Sequence, residues 1–167
     1  RRLRRAAAAG AEIACLPELC ITGYTCGDLF FQPMLQQGAR DALADVLRDT
    51  AGLPLLFVLG LPLTHGGKLY NCAAVCQNGR VLGVVPKTHL PNYNEFYEKR
   101  QFTPAPAENG VIDLSGAQVP FGTNLLFQCG TQPALTLAVE ICEDLWAPLP
   151  PSTRHAMAGA TLICNLS

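Results

Sequence analysis

No segment of these 167 residues approaches the roughly 20 uninterrupted apolar residues that cross a bilayer, because Pro, Gly or a charge breaks every apolar run. An excess of one charge is also lacking. Twelve Lys and Arg against 13 Asp and Glu leave a formal net charge of -1, too little to gather nucleic acid or an anionic membrane. The one basic run, Arg1, Arg2, Arg4 and Arg5, leads into four alanines and reads as the solvated end of a helix. There is no short basic region opening into an apolar one, as a secretory signal would have, and no Gly-rich phosphate loop of the GxxxxGK kind. These absences predict a soluble, cytoplasmic protein with neither nucleic acid nor membrane as a partner.

What is present is enough apolar matter for one core: 49% hydrophobic and 15% charged residues lie well outside the disordered range. Of the eight cysteines, Cys15, Cys72, Cys76, Cys129 and Cys164 stand among Ala, Val, Leu and Ile and are expected to pack as small buried hydrophobes. Only Cys72 and Cys76 approach zinc-ligand spacing. Strand alternation would put both on one sheet face with no second pair nearby, so no metal is expected.

Short apolar runs alternate with amphipathic segments, with no internal repeat and no linker, which predicts one continuous domain mixing helices and strands. Residues 1–9 read as a helix and 12–16 as a buried strand, followed by a Gly-bearing loop, ITGYTCGDLF. From Pro33 to Thr50 apolar residues recur at three- and four-residue spacing behind a first-turn proline, the pattern of an amphipathic helix. Strands are expected at 55–61, 70–76 and 81–85, the last two joined through Asn78-Gly79, the residue pair of a tight hairpin turn. A polar, aromatic loop, THLPNYNEFYEKRQF, follows. After a Pro- and Gly-containing stretch come strands at 125–128 and 135–141, a helix at 152–158 and a strand at 160–165.

Three predicted strand ends carry chemistry: PEL with Glu18, PKTHLP with Lys87 and EICEDLW with Cys142. Sheet proteins bring reactive groups together at strand ends, and a carboxylate, an ammonium and a thiol suffice for acyl transfer. An amide carbon is a poor electrophile and needs a thiolate, which requires a base or nearby positive charge. Glu18 would serve as the base, and Lys87 with the backbone N–H after Cys142 would stabilise the oxyanion. His89 and His155 leave a Cys–His arrangement open. Trp146, the one tryptophan, is expected in a pocket wall or the core.

The strings LPELCITGY, PKTHLPNYNEFYEKRQF and EICEDLW together resemble the three signature segments of the nitrilase (carbon-nitrogen hydrolase) superfamily. TGYTCGDLF and LPNYNEFYEKR are more narrowly similar to the amidotransferase domains of the glutamine-dependent NAD synthetases. The resemblance implies an α+β fold, a four-layer αββα sandwich represented in part at both ends, over a single partial domain, 1–167. It implies Glu18 as general base, Lys87 as transition-state stabiliser and Cys142 as nucleophile. It also points to a second glutamate near the lysine, best matched by Glu98 with Glu95 as the fallback. Tyr93, Glu143 and Asp144 match substrate-contacting positions. The implied reaction is hydrolysis of the glutamine amide through a thioester, without a cofactor. ATP and Mg would be used by a synthetase domain lying outside 1–167. That domain and further copies of the chain, in a homo-oligomer, are the implied partners. Two other readings stay open: a stand-alone amidase or carbamoylase, and an inactive fragment serving only subunit association. Thr103-Pro104-Ala105 stands where the family favours TPG, and Cys15 where it favours a larger apolar residue.

Overall fold

The computed structural model describes all of Arg1–Ser167. Helix α1 (Arg2–Ala8) leads into β1 (Ile13–Cys15), and α2 (Pro33–Thr50) precedes β2 (Leu56–His65), β3 (Lys68–Gln77) and β4 (Arg80–Pro86). A hairpin, β5 (Gly110–Leu114) and β6 (Ala117–Phe121), follows the long loop; then come β7 (Phe127–Gln128), β8 (Thr136–Ile141), α3 (Pro151–Met157) and β9 (Leu162–Leu166). Six strands form one sheet in the order β1-β2-β3-β4-β6-β5, and three form a second in the order β7-β8-β9.

Side-chain alternation along the strands builds the layers. On β2 and β3, Phe57, Leu59, Leu61, Leu63, Tyr70, Cys72, Ala74 and Cys76 face one way and share a 15-residue core with Leu3 of α1 and Leu43 of α2. Val58, Ala73 and Val75 face the other way and meet Leu137, Val139, Ile141, Cys164 and Leu166 of the second sheet. Helix α3 covers the outer face of that sheet: the Ser152 N–H donates to Glu140 of β8. The order helix, sheet, sheet, helix is the expected αββα sandwich. Each fully buried aliphatic or aromatic side chain contributes about 1.5–3 kcal/mol, so two such layers can offset a buried polar cluster at the strand ends.

The hairpin at Asn78-Gly79 forms as expected, with φ of 49° and 71° and Gln77 opposite Arg80. Two further hairpins turn on the same geometry, at Gly66-Gly67 and at Ser115-Gly116. The second lies in the stretch read only as Pro- and Gly-containing. Strand β2 runs past the expected end at 61, through Pro62 to His65, because β1 pairs only with 56–58 and no ladder bond is lost on that side. Cys72, Cys76 and Cys164 are buried, but Cys15 is exposed and Cys129 half-buried, so these two are not core residues. Trp146 is 74% exposed, neither core nor pocket wall. It sits on the solvent side of the 3-10 turn Cys142–Trp146.

Candidate active site

Glu18 follows β1 in a turn held against β2. The backbone allows it because residue 60 is glycine: a methyl group there would lie 2.3 Å from the Leu19 nitrogen and 2.7 Å from the Pro17 oxygen. The turn is completed by Leu19 at φ 48°, a left-handed conformation held by complete burial of its side chain. Lys87 begins the loop after β4, and its N–H donates to the Asn71 carbonyl of β3. Glu98 arrives from a 3-10 turn, Glu98–Arg100, in the long loop.

These three side chains converge out of water. Lys87 Nζ donates to Glu18 Oε1 at 2.6 Å and to Glu98 Oε1 at 2.7 Å, with the lysine side chain wholly buried. Asn71 Nδ2 donates to Glu18 Oε1 at 2.7 Å and to Glu98 Oε2 at 3.4 Å, and the Tyr24 hydroxyl donates to Glu98 Oε1 at 2.8 Å. Burial works against the Lys87 ammonium, but Glu18 and Glu98 outweigh it and hold the lysine above its ordinary range, positively charged. Burial raises the Glu98 carboxyl despite the opposing pull of Lys87 and Tyr24. An ammonium has three N–H donors, and two are used here.

Cys142 stands at the carboxyl end of β8, at φ 44°, where the chain turns sharply into the 3-10 segment and presents its thiol. Burial raises the thiol, and the charges of Glu18 and Glu98 raise it further, while a hydrogen bond from Ser167 and the charge of Lys87 lower it. The thiol therefore lies within the field of the cluster, and the net effect keeps it protonated at neutral pH.

Asp144 ties the two halves together. Its Oδ1 accepts from the backbone N–H of Thr88 at 3.0 Å and of His89 at 2.7 Å, and its Oδ2 from that of Ile141 at 3.0 Å. A single buried carboxylate thus binds the loop that starts with Lys87 to the turn that holds Cys142. Asp144 is 1% exposed with both oxygens engaged, so it is a brace rather than the substrate contact expected from its position. Burial pushes its carboxyl up to about 6, against the lowering effect of the His89 and Ile141 N–H bonds.

Tyr93 and Glu143 meet at the surface, where the tyrosine hydroxyl donates to both glutamate oxygens at 3.0 and 2.8 Å. A cavity of about 320 Å³, lined by Tyr24, Glu95, Phe96, Tyr97, Glu98 and Gln101 among others, opens beside the cluster. Glu95 lines this cavity, while Glu98 makes the contact with Lys87. A groove of about 450 Å³ between α2 and the β5–β6 hairpin lies away from all of these groups. His155 is turned to the Thr123 carbonyl at 2.7 Å, and no histidine hydrogen-bonds the Cys142 thiol. No group of three or more His, Cys, Asp or Glu is gathered in metal-holding geometry.

The residues that sequence reasoning passed over are Tyr24, Asn71 and Ser167. Asn71 had a signal, a polar side chain inside the apolar strand LYNCAAVC, where an amide is tolerated only with partners. Tyr24 and Ser167 had none, because their contacts come from distant segments.

The carbon-nitrogen hydrolase family model matches residues 2–167. The chain is 48% identical over 158 residues to the glutamine-dependent NAD(+) synthetase of Mycobacterium tuberculosis, covering 95% of this chain and 23% of that protein. The crystal structure of a glutamine-dependent NAD(+) synthetase from Cytophaga hutchinsonii superposes with a TM-score of 0.84 at 33% identity, covering 99% of this chain and 26% of the other. A Glu-to-Gln mutant of the amidase from Nesterenkonia sp. AN1, showing the result of Michael addition of acrylamide at the active-site cysteine, shares the fold at TM-score 0.65 and 23% identity, covering 96% of this chain and 56% of its own. The chain spans about a quarter of the length of the synthetases it matches. With the signature segments, the αββα layers and the family match in agreement, this chain belongs to the carbon-nitrogen hydrolase family.

Proposed function

We propose that residues 1–167 are part of a glutaminase domain in which Cys142 attacks the side-chain amide of glutamine, and that the ammonia serves a synthetase domain outside them. The observation that carries this reading is the buried Glu18–Lys87–Glu98 cluster at the strand ends, with its field on the Cys142 thiol. The 48% identity to a glutamine-dependent synthetase favours glutamine over other amides.

A thiol kept protonated by its surroundings needs a base. Glu18 takes the Cys142 proton as the sulfur attacks the amide carbon. The third N–H of Lys87 and the free N–H groups opening the 142–146 turn stabilise the oxyanion. Collapse breaks the C–N bond, Glu18 returns the proton to the leaving nitrogen, and ammonia departs from a thioester. Water then adds to the thioester with Glu18 taking its proton, the C–S bond breaks, and glutamate and the thiol are restored. Glu98 accepts from Lys87 and Tyr24 and fixes the ammonium at the oxyanion position. Tyr93 and Glu143, paired at the surface near the nucleophile, bind the amino-acid end of the substrate.

The protein groups this amide hydrolysis calls on are side chains and backbone N–H groups of this chain, and the reading assigns it no cofactor. ATP and Mg²⁺ are assigned to the synthetase domain, where the ammonia would amidate deamido-NAD. A homo-oligomer in the cytoplasm completes the reading. The exposed apolar side chains Trp146, Leu149 and Met157 are available to a contact between copies.

Ammonia release by the full-length protein from glutamine, asparagine, acetamide and an N-carbamoyl amine tests the substrate. The highest kcat/KM should be for glutamine and should vanish in Cys142→Ala. Preference for an aliphatic or carbamoyl amide would establish the stand-alone amidase reading instead.

A further inference from the structure

The Cys142 sulfur makes a single hydrogen bond, and it does not come from the Glu18–Lys87–Glu98 cluster. Ser167 Oγ, just beyond β9, donates to Cys142 Sγ at 3.5 Å. Strands β8 and β9 run parallel with Ile141 opposite Leu166, so the residues that follow each, Cys142 and Ser167, emerge side by side. The same strand end holds the nucleophile's backbone: Asn165 Nδ2 donates to the Cys142 carbonyl at 3.4 Å and to Glu140 Oε1 at 3.4 Å. Cys142 is therefore held through its carbonyl by Asn165 and through its sulfur by Ser167, while the cluster acts on it through charge.

Charge balance says why a neutral donor is needed. Glu18, Glu98 and Lys87 sum to -1 when ionised, and passing the thiol proton to Glu18 leaves that sum unchanged while moving negative charge onto the sulfur, where Glu98 still opposes it. Lys87 has two of its three N–H bonds on the carboxylates and its third is required for the oxyanion. The groups whose charges reach the thiol are Glu18, Glu98 and Lys87, and the two carboxylates oppose its ionisation. A hydroxyl brings a hydrogen-bond donor without adding a charge to be desolvated, and bonds to an ionised acceptor are about twice as strong as neutral ones.

We propose that Ser167 is a catalytic residue whose hydroxyl donates to Cys142 Sγ, holding the sulfur as thiolate at attack and again as it leaves the thioester. The inference rests on the proposed role of Cys142 as nucleophile and adds a direct partner for its sulfur. In the first step the thiol proton goes to Glu18 while the serine keeps its own. In the second, the sulfur that accepts the C–S electron pair is met by the same O–H.

The test is the pH dependence of Cys142 alkylation by iodoacetamide in the full-length protein, followed by peptide mass spectrometry, for the native protein, Ser167→Ala and Ser167→Thr. Circular dichroism establishes that each variant is folded; if Ser167→Ala is not, Ser167→Gly removes the same hydroxyl. Loss of a hydrogen bond to a charged group lowers the thiolate fraction about tenfold, and the greater nucleophilicity of the more basic thiolate offsets about a third to a half of that on a logarithmic scale. Alkylation at pH 7 should fall about threefold in Ser167→Ala, the midpoint should move to higher pH, and Ser167→Thr should restore both. An alkylation profile unchanged in Ser167→Ala would overturn the proposal, even if ammonia release fell. The readout is independent of the substrate. A shifted profile in a protein that releases no ammonia from glutamine would uphold the role of Ser167 and overturn the glutaminase reading alone.

Discussion

Lys87 Nζ lies 2.6 Å from Glu18 Oε1, with the two side chains 0% and 5% exposed, so the proposed base and the proposed oxyanion donor are one buried ion pair. Glu98 shares the same ammonium at 2.7 Å. The arrangement couples the proton acceptor directly to the positive charge, and the predictions below follow from that sharing.

Glu18→Gln keeps the shape and can still accept from Lys87, but it cannot take a proton. Ammonia release from glutamine should fall by about 10²–10⁴ in kcat, the usual contribution of a positioned base, with KM little changed. Steady-state kinetics on the full-length variant reads both.

Lys87→Met removes the cation between two buried carboxylates. Breaking a buried pair from one side costs about 3–5 kcal/mol, because the remaining charges are left without a partner. Denaturant unfolding should show a loss of that order. Adding Glu98→Gln should recover part of the stability and none of the turnover, which separates the structural from the chemical role of the ammonium.

Gly60→Ala would push a methyl group into the backbone of the Glu18 turn, 2.3 Å from the Leu19 nitrogen. Overpacking against backbone should cost about 1–3 kcal/mol, and the displaced Glu18 should lower kcat well beyond any effect on KM. A variant with full activity would show that the turn has more freedom than its packing indicates.

Asp144 gives a pH dependence with a definite sign. Its folded carboxyl titrates at about 6, above its ordinary 3.8, so the folded protein binds this proton more tightly than the unfolded chain does. Its stabilising contribution is complete below about 3.8 and is lost as pH rises through about 6, on the order of 2–3 kcal/mol. Unfolding free energies at pH 4 and pH 6.5 should differ by less in Asp144→Asn than in the native protein. Activity runs the other way: the ionised carboxylate is the form that accepts three backbone N–H groups, so turnover should decline below about pH 6 in the native protein.

The local patterns that sequence makes visible are those set by near neighbours. Asn78-Gly79 announced its hairpin because both residues favour positive φ, and Pro33–Thr50 its helix because periodicity and a first-turn proline agree. The Ser115-Gly116 hairpin turns in the same way, yet it was hidden in a stretch whose prolines suggested loop. Glu18, Lys87, Glu98 and Cys142 could be singled out because each sits in a distinctive segment. What joins them could not: Asn71 bridging two carboxylates, Asp144 bracing two loops and Ser167 reaching the thiol depend on registers between strands far apart in sequence. Trp146 and Cys15 were misplaced for the same reason, since apolar neighbours in sequence do not say which way a side chain points at a strand end or in a short turn.

The central claim is that Cys142 is the nucleophile of a glutamine site. The most direct test exposes the purified, folded full-length protein to a glutamine-mimicking diazo-ketone amino acid and maps adducts by mass spectrometry, with Cys142→Ala as control. The account predicts one adduct, on Cys142, and none in the control. No adduct on the folded protein, or one that persists in Cys142→Ala at another cysteine, would contradict it.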